Sequence, residues 1–298
     1  GPITTRFFRI YMKDEEMLQS SMAKAREALT HRELARFISL VPGSASISIY
    51  DNTVGVFDVS LDISDELSDT DFCLLLDEIQ AWSNTYVSEV IERYYGQRLL
   101  PLFRSVWDLD PEGDFIQTPG SKTFFLDLKK NELNPTTETL WVNRTLYIDE
   151  ALNDSRYDAL RDRWLMGDAE TEGQVNKETV TNDIHLNWGN NFIGMDAPPQ
   201  KQKDAIEALR LCQYFNTVLE KTNNELSRLI GMALARRKRK KARQIDLHLN
   251  EVVETVNLLL VQLRDTHLNL QGNRQQFFSE LVDKWGLETF RENIENKI

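Results

Sequence analysis

RQIDLHLNEVVETVNLLLVQLRDTHLNL, residues 243–270, is the stretch on which the reading of the chain turns. Ile245, Leu249, Val252, Val256, Leu259, Leu263, Thr266 and Leu270 follow one another at alternating intervals of four and three. A helix advances about 100° per residue, so this alternation keeps all eight on one narrow stripe, as in the seam of a coiled coil. A strand would place every second residue on a common face and cannot generate the pattern. The segment therefore predicts a helix whose stripe is committed to another helix, either in the same chain or in a second copy. Gly272 interrupts the stripe, and Phe277, Leu281 and Trp285 restart an apolar face beyond it. A straight helix over residues 243–298 would measure about 80 Å. No domain of this size can cover that length, so part of it packs on a partner or folds back.

Working towards the N-terminus, Asp196 and Pro198-Pro199 mark a helix start, and Leu209, Cys212, Leu219, Leu226, Ile230 and Ala233 form one face after it. Between the two helical stripes lie Arg236, Arg237, Lys238, Arg239, Lys240, Lys241 and Arg243, seven cations in eight positions. Such a block suits phosphate groups of nucleic acid, nucleotide or anionic lipid. It equally suits a solvated helix connection, or a belt against an acidic neighbouring subunit.

Before Pro198 the period changes. Met17, Leu18, Met22, Ala25 and Leu29 keep helical spacing, and His31 to Leu40 resumes it until Val41-Pro42-Gly43. Ile47 and Ile49 alternate with serines, Asp51-Asn52 makes a turn, and Val54, Val56, Phe57, Val59, Leu61 and Ile63 continue as one extended run, which reads as a β-hairpin. Ser68 and Asp71 open a long helix with Phe72, Leu75, Ile79, Tyr86, Val90 and Tyr94 on one face. Further strands are expected at 123–128, 139–148 and 179–186, a short helix at about 153–164, and a polar loop at 167–175. The expected fold class is α+β, a mixed sheet with flanking helices over residues 3–195, followed over 196–298 by long C-terminal helices forming a coiled-coil-like hairpin for oligomerisation.

The 298 residues carry a formal net charge of -12, which argues against wholesale wrapping of nucleic acid while leaving local basic patches open. Two cysteines, Cys73 and Cys212, sit among apolar neighbours, so no disulfide framework is expected and a reducing, cytoplasmic compartment is favoured. No run of about 20 apolar residues is present to span a bilayer, and no signal peptide is read at the N-terminus, where Gly1-Pro2 resembles the scar of an engineered protease site.

Three constellations could carry chemistry. Arg243 and His248 sit on one predicted helix, with a spacing that resembles the signature of HEPN ribonucleases, where histidine works in general acid/base chemistry. An ordinary interface histidine beside Leu249 explains His248 as well. His185, Asn187, Trp188, Asn190 and Asn191 could line a small polar ligand pocket, or simply close a strand with a turn. Asp114 with Asp127 and Lys129 imitates the spacing of a metal-dependent nuclease, a pattern the wet face of an exposed strand also produces. The four histidines never cluster with cysteines at zinc spacing, and no phosphate-binding glycine loop or nucleophile elbow occurs.

Trp141-Val142-Asn143-Arg144-Thr145-Leu146-Tyr147-Ile148, and the order strand, Trp188-Gly189-Asn190, helix with Gln213-Tyr214-Phe215, basic turn, long apolar helix through Leu259 to Trp285, together resemble the cytosolic part of CorA-type divalent-cation transporters. That family's Gly-Met-Asn signature and transmembrane helices are missing here, Gly231-Met232-Ala233 being a different motif. The resemblance implies a non-enzymatic sensor and oligomerisation domain at the inner face of a membrane. It implies a homo-oligomer joined along Ile245, Leu249, Val252, Val256, Leu259 and Leu263, a divalent cation as ligand with no residues assignable to it, and anchoring through segments after Ile298. The alternatives are a nucleic-acid-directed effector using the basic helix with Arg243 and His248, and a soluble protein-binding scaffold.

Overall fold

The computed structural model describes residues 7–50, 54–64, 66–94, 97, 142–147, 154–166, 179–181, 183–194, 197–234 and 239–297. The expected strand at 123–128, the loop at 167–175, and Asp114, Asp127 and Lys129 lie outside these residues.

Asp14 caps the first helix, its carboxylate accepting from the Met17 amide at 3.1 Å. Helix α1 (Glu15–Ala25) ends in a 3₁₀ turn, Arg26–Ala28. The helical spacing expected to continue through Leu40 gives only another 3₁₀ turn, Arg32–Phe37, which buries Leu34 before the chain extends at Ile38. A β-branched residue just ahead of Val41-Pro42 favours extension over another turn.

Strand β1 (Phe7–Tyr11), β3 (Ser46–Tyr50) and β4 (Val54–Asp58) form an antiparallel sheet with β3 in the middle, Ile47 opposite Phe57 and Ser48 opposite Arg9. The expected hairpin is present, but the extended run beyond it is divided. Asp58 ends β4, and β5 (Leu61–Ile63) pairs with β2 (Ile38–Leu40) as a separate two-stranded ribbon. Ser44 holds the two together, its hydroxyl donating to the Val41 carbonyl at 2.8 Å and accepting from the Ser60 amide at 3.1 Å.

Helix α2 (Asp69–Tyr94) opens with the expected cap. The Ser68 hydroxyl accepts from the Asp71 amide at 3.2 Å and donates to its carboxylate at 2.8 Å. Its inner face, Leu75, Ile79, Trp82, Tyr86 and Val90, is buried with Leu18, Ile47 and Ile49.

The second sheet runs β6 (Arg144–Tyr147), β9 (Asn190–Ile193), β8 (Ile184–Leu186), β7 (Thr179–Thr181), with β6 parallel to β9 and the other pairs antiparallel. The single strand expected at 179–186 is thus a hairpin, turned at Asp183 in the left-handed region (φ 58°). Helix α3 (Asp154–Met166) lies against β9.

Strand alternation makes both sheets two-sided. Ile47, Ile49, Leu146 and Phe192 face α1, α2 and α3, whereas Tyr50, Ile184, Leu186 and Ile193 share a core with the C-terminal helices. The last strand ends at Ile193 and the next helix begins at Pro199, but the core crosses that boundary.

Helix α4 (Pro199–Leu234) is met antiparallel by α5 (Arg239–Asn269), with Tyr214 level with Gln262. The chain then folds back. Helix α6 (Gly272–Lys284) and α7 (Leu287–Glu295) run along α4 in its own direction. Asp204 meets Arg274, Phe215 meets Phe278, and Lys297 meets Asn223 and Ser227. The fold-back and the joint between α6 and α7 each use glycine at positive φ, Gly272 at 60° and Gly286 at 68°, where a side chain would be strained. The C-terminal region is therefore an up-down-up bundle lying on the sheets, in which α4 and α5 make one antiparallel pair.

Candidate functional site

The charged residues that join the sheet to the bundle make the most organised polar site among the described residues. Ser48 on β3 accepts from Arg9 Nε on β1 at 2.9 Å, and Arg9 Nη2 reaches Glu207 Oε1 on α4 at 3.1 Å. The same Glu207 oxygen accepts from Arg210 Nη1 at 2.8 Å, and Arg210 Nε donates to Asp58 Oδ1 at the end of β4 at 2.9 Å. Two guanidinium groups and two carboxylates thus alternate across one interface, and both α4 members are largely shielded from solvent. In this setting the pairs are stronger than surface ion pairs, although desolvation offsets much of the gain.

The strand period explains the placement. Ile47 and Ile49 point to the α2 side, so Ser46, Ser48 and Tyr50 point to α4. Tyr50 stacks on Tyr214 with ring centroids 5.3 Å apart, closing the apolar flank of the relay. Burial, helped by the charge of Glu207 and opposed by that of Arg210, pushes the Tyr50 hydroxyl well above its ordinary range. Burial likewise pushes the Asp58 carboxyl up, outweighing the pull of Arg210. Asp58 Oδ2 is buried and has no hydrogen-bond partner among the described residues.

His185, Asn187, Trp188 and Asn190 are brought together, but on internal partners. Asn190 Nδ2 donates to the Trp164 carbonyl at 3.0 Å, and Asn190 Oδ1 accepts from Arg144 Nε at 2.8 Å. Asn187 Oδ1 accepts from the Trp188 amide at 2.9 Å, while the Asn187 amide donates to Asn191 Oδ1 at 2.8 Å. Asn191 also donates to Asn143 Oδ1 and to the Arg144 carbonyl at 3.1 Å. Trp164 Nε1 donates to the Asn191 carbonyl at 2.6 Å. His185 is buried, 3.6 Å from Asp183 Oδ1 and edge-on to Phe192. Trp188 meets Trp285 edge to face at 5.3 Å. Residues read as a turn therefore fasten β6, β9 and α3 together, and Asn190 and Asn191 lie inside β9.

Of the basic run, Arg236, Arg237 and Lys238 lie outside the described residues, and Arg239, Lys240, Lys241 and Arg243 fall in the first turns of α5. Arg243 and His248 share that helix, where five residues turn the chain by about 140°. Val256, Leu259 and Leu263 of the seam are buried in the chain's own core with Tyr214, Val218 and Phe277. Ile245, Leu249 and Val252 lie nearer the basic end of the same helix.

Among the described residues, no group of three or more His, Cys, Asp or Glu side chains is gathered as for a metal ion, and no helix is long and apolar enough to cross a membrane. The relay escaped the sequence reading because its bonded partners are separated by up to 198 positions. The one local signal was Glu207 and Arg210 at a spacing of three within a helix. No family model, curated protein or solved structure matches the chain.

Proposed function

We propose that this chain is a non-enzymatic regulatory and assembly module, comparable in role to the cytosolic sensor domain of CorA-type cation transporters that its sequence resembles. The observation carrying this reading is the way α4 is rooted. Its first half is held to both sheets by the shared core and by the relay through Arg9, Asp58, Glu207 and Arg210. The helix is 36 residues long, about 54 Å, and its far end adjoins the basic run. A displacement of the body is thereby delivered as a displacement of that end.

On this reading the basic end serves phosphate-bearing partners, and copies of the chain associate along the part of the seam nearest to it, Ile245, Leu249 and Val252. The ligand class is a divalent cation, and the setting is the cytoplasmic face of a membrane. The last helix supports the arrangement. Lys297 Nζ donates to Asn223 Oδ1 at 2.6 Å and to Ser227 Oγ at 2.8 Å, about two turns before α4 ends at Leu234. The final helix and the basic run therefore approach the same end of the bundle.

Sedimentation equilibrium is the test. A mass above the monomer that rises with concentration, and falls to the monomer in Ile245→Glu/Leu249→Glu with the melting temperature retained, supports assembly through the helix. A strict monomer that cleaves RNA, and loses the cleavage in His248→Ala, replaces the reading with that of a nucleic-acid-directed effector.

A further inference from the structure

The relay between the antiparallel sheet and α4 is lopsided. Glu207 accepts from two arginines through one oxygen, whereas Asp58 uses Oδ1 for Arg210 and buries Oδ2 with no partner among the described residues. A carboxylate hydrogen-bonded through one oxygen, with the other oxygen shut away from water, is incompletely compensated as an anion. As a neutral acid it keeps Oδ1 as an acceptor for Arg210 and no longer buries a charge. Arg210 retains a carboxylate in either case, since Glu207 is only one turn away on the same helix.

We infer that Asp58 is a proton-operated latch between the sheet and α4: the closed contact binds a proton at Asp58, and ionisation of Asp58 favours lifting of α4 at Glu207–Arg210. The charged and titratable groups around it come from every element that meets there, Arg9 on β1, Tyr50 on β3, Tyr147 on β6, and Glu207 and Arg210 on α4. Tyr50 is pushed upwards by burial, Tyr147 is raised as well, and both stay neutral through the range in which a carboxyl titrates. The two arginines remain charged throughout. The sign follows from linkage. A carboxyl held above its ordinary 3.8 in the closed state contributes stability that is complete at low pH and is lost as pH rises through the raised value. The latch thus closes on acidification, opposite to an ordinary surface salt bridge. The inference deepens the regulatory reading by naming a proton as one input, yet its tests are independent of assembly.

The experiment follows the Asp58 carboxyl carbon by NMR from about pH 3 to 8 in the whole chain, together with amide exchange along α4. Asp58 is expected to titrate above 3.8, and α4 protection near Glu207–Arg210, corrected for the intrinsic exchange rate, to fall through the same range. The size is about tenfold for each unit of elevation. Asp58→Asn, which imitates the neutral acid, is expected to show high protection without that pH response. Titration of Asp58 at or below 3.8, or an unchanged pH response in Asp58→Asn, overturns the latch. Should the variant fail to fold, the wild-type titration alone decides.

Discussion

Asn191 shows how much one side chain can organise. It is fully buried, accepts from the Asn187 amide, and donates towards Asn143 and the Arg144 carbonyl, so a single amide group sets the parallel pairing of β6 with β9. Asn191→Ala leaves those partners unpaired and is expected to cost about 1–3 kcal/mol, read from the urea midpoint at constant slope. Asn190 and Asn191 look like turn residues in the sequence because asparagine is enriched in turns. Their strand role depends on partners some 46 positions away, which no local pattern reveals. A second residue-scale expectation concerns His31 and Glu78, joined at 2.5 Å between the first 3₁₀ turns and α2. The hydrogen bond that the His31 ring donates to Glu78 raises the His31 pKa, so this contribution is present below 6.5 and fades as pH rises through the raised value. Although burial opposes it, hydrogen bonds from the His31 ring and amide and the Thr30 amide lower Glu78 from 4.5, so that part is lost as pH falls through the lowered value. The melting-temperature difference between wild type and Glu78→Gln is accordingly expected to be widest at about pH 5–6 and to narrow on both sides.

At the scale of elements, the heptad seam is the instructive case. Its spacing identified α5 as a helix with a committed face, and periodicity can say that much. It could not name the occupant, because a helix of the same chain and one of a second copy present the same apolar stripe. Val256, Leu259 and Leu263 are filled from within, whereas Leu258 and Leu268 on other faces of α5 remain exposed. Leu263→Glu is therefore expected to lower the stability of the monomer by on the order of 4 kcal/mol or more, measured at a concentration where sedimentation shows no association. An unfolding midpoint left unchanged while the oligomer dissociates would place Leu263 at an interface between copies instead. Capping was legible in the same local way. Asp14 and Ser68 were readable because a cap and its amide lie within three residues. The fold-back at Gly272 was half legible, since an interrupting glycine marks a break but gives no direction for the chain after it.

For the molecule as a whole, the sequence supplied the class, mixed α and β with long C-terminal helices, and divided it at residue 195. That division follows composition, since strands and turns give way there to continuous helical spacing. The core follows contact, and Tyr50, Ile184, Leu186 and Ile193 share one core with Leu209, Phe215, Leu219 and Phe277 from beyond the division. A fragment ending at residue 195 would expose that whole face. It is expected to lack a cooperative melting transition and to bind hydrophobic dyes, while the complete chain melts in one step; a sharp transition in the fragment would show that the sheets stand alone. The relay adds a consequence in time. Arg9 waits for a partner 198 residues further on, so during synthesis the first strand has left the ribosome long before Glu207 exists. Early strands must spend that interval with one face uncovered. The chain's period of greatest exposure to chaperones and to aggregation is thus written into the order in which its two halves of a single buried interface are made.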